Sequence, residues 1–190
     1  MVRGEKFNVY RVDVPSGPDG AGCAGDGGAG EAGGERGRRL RRDVVDHPGA
    51  VVILPLLEDG RVLLTRNHRW AIGQTILELP AGTLEPPPET PASCAGRELL
   101  EETGYEAAQL RPLLAFYSAP GFCTELLHGF VATGLTWRGQ QLEPGERIEP
   151  VAMTWPRVLA AIAAGSIVDA KTLTVLLYYH SLHAKADAPA

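Results

Sequence analysis

Apolar and polar residues are distributed along this chain in a way that predicts several strands in its first half. Residues 6–14, KFNVYRVDV, alternate in part and favour a first strand. Two apolar runs, 49–57 and 61–66, flank Glu58-Asp59-Gly60, a combination that favours a hairpin. Further short strands are predicted at 76–79, 113–118 and 127–135.

One helix is predicted in the middle of the chain, over residues 91–103. Thr90 suits the N-cap and Pro91 the first helical position. Gly104 suits the residue that ends the helix.

Two more helices are predicted near the end of the chain. One covers about 156–164 and stops at Gly165, and the next starts near Asp169. Helices therefore occur singly among strands, which indicates a mixed α/β or α+β domain and not a regular βαβ repeat.

Residues 15–38 differ sharply in composition from the rest. Ten of the 23 glycines lie there, and large apolar residues are almost absent. Such a segment cannot bury enough surface to offset its ordering entropy, so we expect a flexible loop. A basic run follows, and it is either a solvated strand edge or a contact for substrate phosphate or a second subunit. Its members are Arg36, Arg38, Arg39, Arg41 and Arg42.

Composition narrows the function classes. The net charge of −5 argues against binding to nucleic acid through a basic surface. No apolar run is long enough to span a bilayer, and the first ten residues lack the apolar core of a signal peptide. The three cysteines, Cys23, Cys94 and Cys123, have neither zinc-ligand nor disulfide spacing. We therefore expect a cytoplasmic protein.

The predicted middle helix carries the informative chemistry. Glu98, Glu101 and Glu102 are three and four residues apart, so their carboxylates share one face. Like charges this close repel one another unless a cation neutralises them. Oxygen ligands at this density suit Mg²⁺ or Mn²⁺, and Arg97 can pair with Glu101 one turn on. A solvated acidic helix face is the alternative interpretation.

The residues around these carboxylates resemble the Nudix box, a signature of the Nudix hydrolase family that here spans residues 82–105. The matching positions are Gly82, Glu89, Arg97, Glu98, Leu99, Glu101, Glu102, Gly104 and Tyr105. Six residues separate Gly82 from Glu89 where the family has five, and this extra residue lies in Pro86-Pro87-Pro88.

The resemblance extends to the branch of the family that hydrolyses ADP-ribose and sugar nucleotides. It implies that the Ala81 carbonyl, Glu98, Glu101 and Glu102 bind metal, with Mg²⁺ as cofactor and Mn²⁺ possible. Arg66-Asn67-His68-Arg69 is similar to the branch's arginine-bearing run, although Asn67 and His68 depart from it. Tyr117-Ser118-Ala119-Pro120-Gly121-Phe122 is similar to another branch segment, although Ala119 interrupts it. On this match we assign Arg66, Arg69, Glu78 and Glu125 to substrate binding.

The resemblance also implies a general base on a loop before the penultimate helix. Glu146 has the best register there, two residues before Ile148, with Glu143 and Glu149 as alternatives. If none of the three acts, the base is Glu101, or no separate base is needed. Near the end, Asp169-Ala170-Lys171-Thr172 resembles the branch's closing helix, where a structural role is expected.

Taken together, the expectation is a single Nudix domain over residues 1–190. Its N-terminal strands lie in residues 1–46, and its fold is an α/β/α sandwich with a mixed central sheet. The implied reaction is hydrolysis of ADP-ribose to AMP and ribose 5-phosphate. Hydrolysis of another sugar nucleotide such as GDP-mannose, or non-catalytic nucleotide sensing, are the alternatives. A homodimer is implied by resemblance, and no membrane partner is expected.

The composition of residues 15–38 generates a first prediction. If a short Gly-Ser linker replaces them, the turnover rate and the melting temperature should stay close to those of the full chain, because glycine-rich segments add few packing contacts. Steady-state kinetics and thermal unfolding measure this. A large loss in either quantity would show that the segment is ordered or functional.

Overall fold

The computed structural model describes residues 2–3, 8–15, 39–86 and 89–183, which form two compact units. The first unit contains β1 (Val2–Arg3), β2 (Asn8–Pro15) and β3 (Arg39–Asp46) in an antiparallel sheet of that order. Its second segment, residues 119–124, joins β3 through Val45, whose N–H donates to the Phe122 carbonyl at 2.8 Å.

The basic run lies partly in this unit. β3 is at the edge of its sheet, and Arg41 and Arg42 are exposed, as a solvated strand edge requires. Arg36 and Arg38 lie outside the described residues, as does the predicted flexible loop 15–38 apart from Pro15, which ends β2.

The second unit holds two sheets and three helices. The four-stranded sheet has the order β7-β4-β9-β8, in which β4 and β9 are parallel and the other pairs antiparallel. The three-stranded sheet has the order β10-β5-β6 and is antiparallel. The elements are β4 (Ala50–Pro55), β5 (Val62–Arg69), β6 (Gln74–Glu78), β7 (Ala81–Thr83), α1 (Pro91–Thr103), β8 (Tyr105–Tyr117), β9 (Leu126–Trp137), β10 (Ile148–Met153), α2 (Trp155–Ala163) and α3 (Ala170–His183).

Strand β4 is the centre of this unit, and all six of its residues are buried. Successive side chains of a strand point to opposite faces, so β4 supplies two cores. Val51 and Ile53 pack with Leu99 of α1, and Val52 and Leu54 pack in a cluster that includes residues of α2 and α3. Helices thus cover both faces of a mixed sheet, and the predicted α/β/α sandwich is confirmed.

The start and end of α1 are set locally, as predicted. The Thr90 hydroxyl accepts a hydrogen bond from the Ser93 N–H at 3.2 Å, and Pro91 is the first helical residue. Gly104 ends the helix with φ +78°, a conformation that costs a residue without Cβ little.

The predicted hairpin around Glu58-Asp59-Gly60 is wrong in its pairing. The turn forms, with the Leu57 N–H bonded to the Arg61 carbonyl at 2.9 Å. Beyond one isolated bridge, however, β4 and β5 belong to different sheets. Both edges of β4 are already paired with β7 and β9, so β5 turns away to β6 and β10.

Strand β10 was not predicted, and its position corrects one assignment. Glu149 belongs to this strand and not to the loop that carries Glu146. The closing helices begin one residue away from their expected positions, at Trp155 and Ala170. None of the described helices is long and apolar enough to cross a membrane. A single domain over residues 1–190 stays a prediction.

Candidate active site

Arg97 organises the carboxylates at the start of this site. Its Nε and Nη2 donate to the two oxygens of Glu89, each at 3.0 Å. Its Nη1 donates to Glu98 at 2.8 Å and to Glu101 at 3.0 Å. The predicted pairing of Arg97 with Glu101 is therefore present, within a larger cluster. The hydrogen bonds from Arg97 lower the pKa of Glu89.

Gly82 provides the space for Glu98. A Cβ added at this position would overlap the Glu98 carboxylate, so only glycine leaves room for it beside β7. The carboxylate is largely buried, with 13% of the side chain exposed. Burial raises the pKa of Glu98, and the negative charges of Glu101 and Glu146 add to this effect.

Glu102 is the most buried of the three helix carboxylates, at 5% exposure. Its Oε2 accepts a hydrogen bond from the Ala81 N–H at 3.0 Å, and among the described residues it forms no ion pair. Burial raises the pKa of Glu102 to about 8, with the nearby charge of Glu98 contributing. Among the described residues, Glu102 is thus a buried carboxyl group without an ion-pair partner, next to the predicted metal ligand Ala81.

These residues fit a hard divalent cation. The donors are carboxylate oxygens, which Mg²⁺ prefers, and Glu98 and Glu102 have burial-raised pKa values that a bound cation would lower again. In the described part of the chain, no group of three or more His, Cys, Asp or Glu side chains is arranged so that it could hold a metal ion. The Arg97 guanidinium is the cation that bridges Glu98 and Glu101 in this arrangement.

A second buried cluster surrounds Glu78, which is only 1% exposed. Arg69 grips its two oxygens through Nε at 2.7 Å and Nη2 at 2.9 Å. The Lys171 ammonium donates to the same carboxylate at 2.7 Å and to Asp169 at 2.9 Å. A bidentate pair of this kind fixes the plane of the guanidinium. Glu78 therefore orients Arg69. In this arrangement Glu78 would act on the substrate through Arg69 and not by direct contact.

This cluster joins the start of α3 to the end of β6. The Thr172 hydroxyl donates to Asp169 at 2.6 Å and accepts from the Leu79 N–H at 2.8 Å. Although burial acts to raise it, the pKa of Asp169 is lowered by the charge of Lys171 and by these hydrogen bonds. The structural role expected for residues 169–172 thus has a contact basis.

A cavity of about 330 Å³ opens beside the Glu78 cluster and strand β7. Its wall includes two cations, Arg69 and Lys171, and the Gly82 backbone beside Glu98. Tyr117, Ser118 and Glu125 supply further aromatic and polar surface. Arg69 uses Nε and Nη2 for Glu78, and its Nη1 forms no hydrogen bond to a described residue. The cavity therefore combines cationic, hydroxyl and aromatic groups near the helix carboxylates.

The predicted substrate residues do not all reach this cavity. Arg69 and Glu125 line it. Glu78 lies behind Arg69, and Arg66 is exposed and pairs with Glu149 at 3.4 Å. Arg66 and Glu149 are in register in the backbone pairing of β5 with β10, so the exposed side chain of Arg66 lies beside the neighbouring strand.

The loop glutamates also separate in the structure. Glu146 is exposed, and its carboxylate accepts a hydrogen bond from the Glu143 N–H at 2.9 Å. Its negative charge is close enough to influence Glu98. Glu149 is instead held on β10 by Arg66. The negative charge of Glu146 thus acts on Glu98, one of the helix carboxylates.

A family model for the NUDIX domain matches residues 46–175, which is most of the chain. An ADP-ribose pyrophosphatase of Bacillus subtilis is 37% identical over 140 residues, covering 73% of this chain and 75% of the relative. This chain belongs to the Nudix family. The resemblance inferred from its sequence motifs is confirmed.

Two further comparisons extend this result. A GDP-mannose pyrophosphatase of Citrobacter koseri is 35% identical over 151 residues, covering 74% of this chain and 78% of the relative. A solved structure described as an ADP compounds hydrolase aligns with a TM-score of 0.76 at 19% identity. It covers 98% of this Nudix chain and 91% of the other, and it supports the fold alone.

Sequence reasoning did not anticipate two features of this Nudix site. Lys171 contacts Glu78 across 93 residues, and Trp70 contacts Gly145 across 75. No local pattern reports such separations. Lys171 is the one lysine of α3, and the resemblance of residues 169–172 to the branch's closing helix indicated a structural role for that stretch without naming its partner.

The close approach of the Glu98 carboxylate to Gly82 generates a prediction. Gly82→Ala should weaken Mn²⁺ binding by about tenfold or more, because displaced metal-site groups typically lose that much affinity. Calorimetric titration of Mn²⁺ measures this. Gly96→Ala is the matched control on α1, since its added Cβ meets only ordinary contact with Leu110. Equal Mn²⁺ affinities in the two variants would contradict the claim that Gly82 leaves the space that the Glu98 carboxylate needs.

The Glu78 cluster generates another prediction. Lys171→Met should lower the free energy of unfolding by about 3–5 kcal/mol, because the largely buried Asp169 loses its ion-pair partner and Glu78 keeps Arg69 alone. Arg138→Met removes the exposed partner of Glu106 and should change the free energy of unfolding by less than about 1 kcal/mol. Urea unfolding compares the two. A loss for Lys171→Met as small as for Arg138→Met would refute a stabilising role.

Proposed function

We propose that this Nudix protein hydrolyses the pyrophosphate bond of ADP-ribose to AMP and ribose 5-phosphate with Mg²⁺. The observation that carries the proposal is the pair of buried carboxylates, Glu98 and Glu102, beside a cavity lined by Arg69 and Lys171. Such a site offers cation-binding oxygens on one side and cationic groups for phosphate on the other. The similarity to the Bacillus subtilis ADP-ribose pyrophosphatase favours this substrate.

Glu98, Glu102, Glu101 and the Ala81 carbonyl are the groups we assign to the cation. When bound, Mg²⁺ would offset the charge of the pyrophosphate and lower the pKa of the attacking water. The protein residues then act mainly through position and charge, since phosphoryl transfer needs little covalent chemistry from the protein. Arg97 keeps Glu98 and Glu101 in place before the cation arrives.

Arg69 is the residue we assign to the substrate phosphates. Glu78 holds its Nε and Nη2, and the outer Nη1 is left for an oxygen of the substrate. A guanidinium whose orientation is fixed in advance loses little freedom on binding. Glu125, also on the cavity wall, is assigned to the sugar hydroxyls.

Glu146 is the general base in this proposal. A base must come within hydrogen-bond reach of the water that it deprotonates. Its loop position allows such an approach when substrate binds, and its charge already acts on Glu98. Glu143 and Glu101 are the remaining alternatives, while the Arg66 pair on β10 disfavours Glu149.

GDP-mannose is the second candidate substrate. The Citrobacter koseri relative named for this activity is nearly as similar as the Bacillus subtilis one. A non-catalytic sensor is disfavoured by the carboxylates themselves. Burying Glu102 with its pKa raised to about 8 is energetically unfavourable, and a protein that only binds nucleotide has no need of it. A cytoplasmic homodimer belongs to the same proposal, by analogy with the branch.

A substrate panel tests the proposal. ADP-ribose, GDP-mannose, ADP-glucose, NADH and 8-oxo-dGTP are each incubated with enzyme and Mg²⁺, and released monophosphates are quantified by chromatography. We expect AMP from ADP-ribose at the highest kcat/KM. Faster release of GMP from GDP-mannose would select the second candidate, and no cleavage of any compound would reject an enzymatic role.

The carboxylate assignment has its own prediction. Glu98→Gln and Glu102→Gln should each lower turnover about a hundredfold or more at low Mg²⁺, because shape is kept and charge is lost. Glu106→Gln, an exposed glutamate on β8, serves as the control and should keep normal rates. Near-normal turnover in both helix variants would sink the assignment.

A further inference from the structure

Trp70 is a large aromatic residue in an unusual place. It follows β5 directly, and 64% of it is exposed although it is among the largest apolar side chains of the chain. Its ring is nevertheless engaged on more than one side. The groups that engage it come from the loop of residues 141–147 and from His68.

The loop contacts Trp70 through the two neighbours of Glu146. The indole Nε1 donates a hydrogen bond to the Gly145 carbonyl at 3.4 Å. The Arg147 guanidinium lies over the indole ring, 5.1 Å from its centroid, which is cation–π geometry. One aromatic side chain therefore contacts the residue before Glu146 and the residue after it.

His68 completes this arrangement, which we call the Trp70 clasp: the contacts of His68 and Trp70 with Gly145 and Arg147. The His68 ring packs edge-on against Trp70 with centroids 4.4 Å apart. Its backbone N–H donates to the Arg147 carbonyl at 3.2 Å. Thr75 on β6 holds the ring through Nδ1 at 3.2 Å. The clasp thus attaches the loop to a paired strand at backbone and side chain.

The clasp restricts where Glu146 can go. With Gly145 and Arg147 both held, Glu146 is confined to the span between two anchored residues. Its carboxylate accepts a hydrogen bond from the Glu143 N–H of the same loop at 2.9 Å. Its charge already acts on Glu98 in the helix cluster.

We propose that Trp70 is a positioning residue that holds the loop so that Glu146 can reach the attacking water. This inference rests on the proposed function of Glu146 as general base. Trp70 does not line the cavity, and its hydrogen bond and ring contacts are with Gly145, Arg147 and His68, so we expect its effect to be exerted through the loop. Positioning errors of about 1 Å are enough to lower rates strongly.

Kinetic variants test the coupling between Trp70 and Glu146. Trp70→Ala should lower kcat about tenfold or more with KM changed less than about twofold, because a transition-state interaction is lost. Trp70→Phe keeps a ring for Arg147 and loses the N–H, so its loss should be smaller. Ile72→Ala is the control, since Ile72 is an exposed apolar residue on the same turn that contributes none of the clasp contacts.

A double-mutant cycle decides whether the effect passes through Glu146. In the Glu146→Gln background, Trp70→Ala should produce almost no further loss of kcat, because the group being positioned is already disabled. Full additivity of the two losses would overturn the proposal. An unchanged kcat in Trp70→Ala alone would overturn it as well.

Amide hydrogen exchange supplies a readout that needs no substrate. The His68 amide, bonded to the Arg147 carbonyl, and the amides of the loop should exchange faster in Trp70→Ala than in Ile72→Ala. Unchanged exchange would overturn the clasp. If the wild-type protein cleaves no compound of the panel, the proposed function fails, and exchange alone decides whether Trp70 holds the loop.

Discussion

The constraint on which this structure depends is the crowding of negative charge on one face of α1. Glu98, Glu101 and Glu102 must share a few ångströms of helix surface, and two of them are largely removed from water. Repulsion and desolvation both oppose such an arrangement. Arg97 offsets part of this negative charge through its hydrogen bonds to Glu98, Glu101 and Glu89. In our account, a bound cation favours the ionised form of Glu102, whose carboxyl group burial otherwise keeps largely protonated at neutral pH.

The rest of the fold positions groups around this face. Gly82 on β7 makes room for one carboxylate, and the Ala81 N–H binds another. Behind them, Glu78 is neutralised from both sides by Arg69 and Lys171. The result is an alternation of buried anions and cations from α1 to α3. A pyrophosphate with its counterion would continue that alternation across the cavity.

Local features of the sequence predicted the local structure well. Thr90, Pro91 and Gly104 act within one helical turn of themselves, so the bounds of α1 followed from them. The pairing partners of the strands were harder to predict, because they depend on which strand edges are already paired. The turn at 58–60 was visible in the sequence, whereas the separation of β4 from β5 into two sheets was not. Strand β10 was not predicted because Pro150 interrupts its alternation of apolar and polar residues.

The candidate site shows the same difference between local features, which the sequence predicted, and long-range contacts, which it did not. The carboxylates of α1 lie three and four residues apart, and their spacing alone placed them together. Lys171 and Trp70 act over 93 and 75 residues, and only the folded chain brings them to Glu78 and to the loop. The assignment of Arg66 to substrate stays a prediction from the motif match, and in the fold its exposed side chain lies 3.4 Å from Glu149.

The most direct test of the charge argument is to locate the cation. Crystals soaked in Mn²⁺ and measured at its absorption edge would show where the ion binds. We expect an anomalous peak within about 2.0–2.3 Å of carboxylate oxygens of both Glu98 and Glu102, the range for hard divalent cations on oxygen ligands. A peak elsewhere, or none at saturating Mn²⁺ with Glu98 still bound to Arg97, would contradict the account.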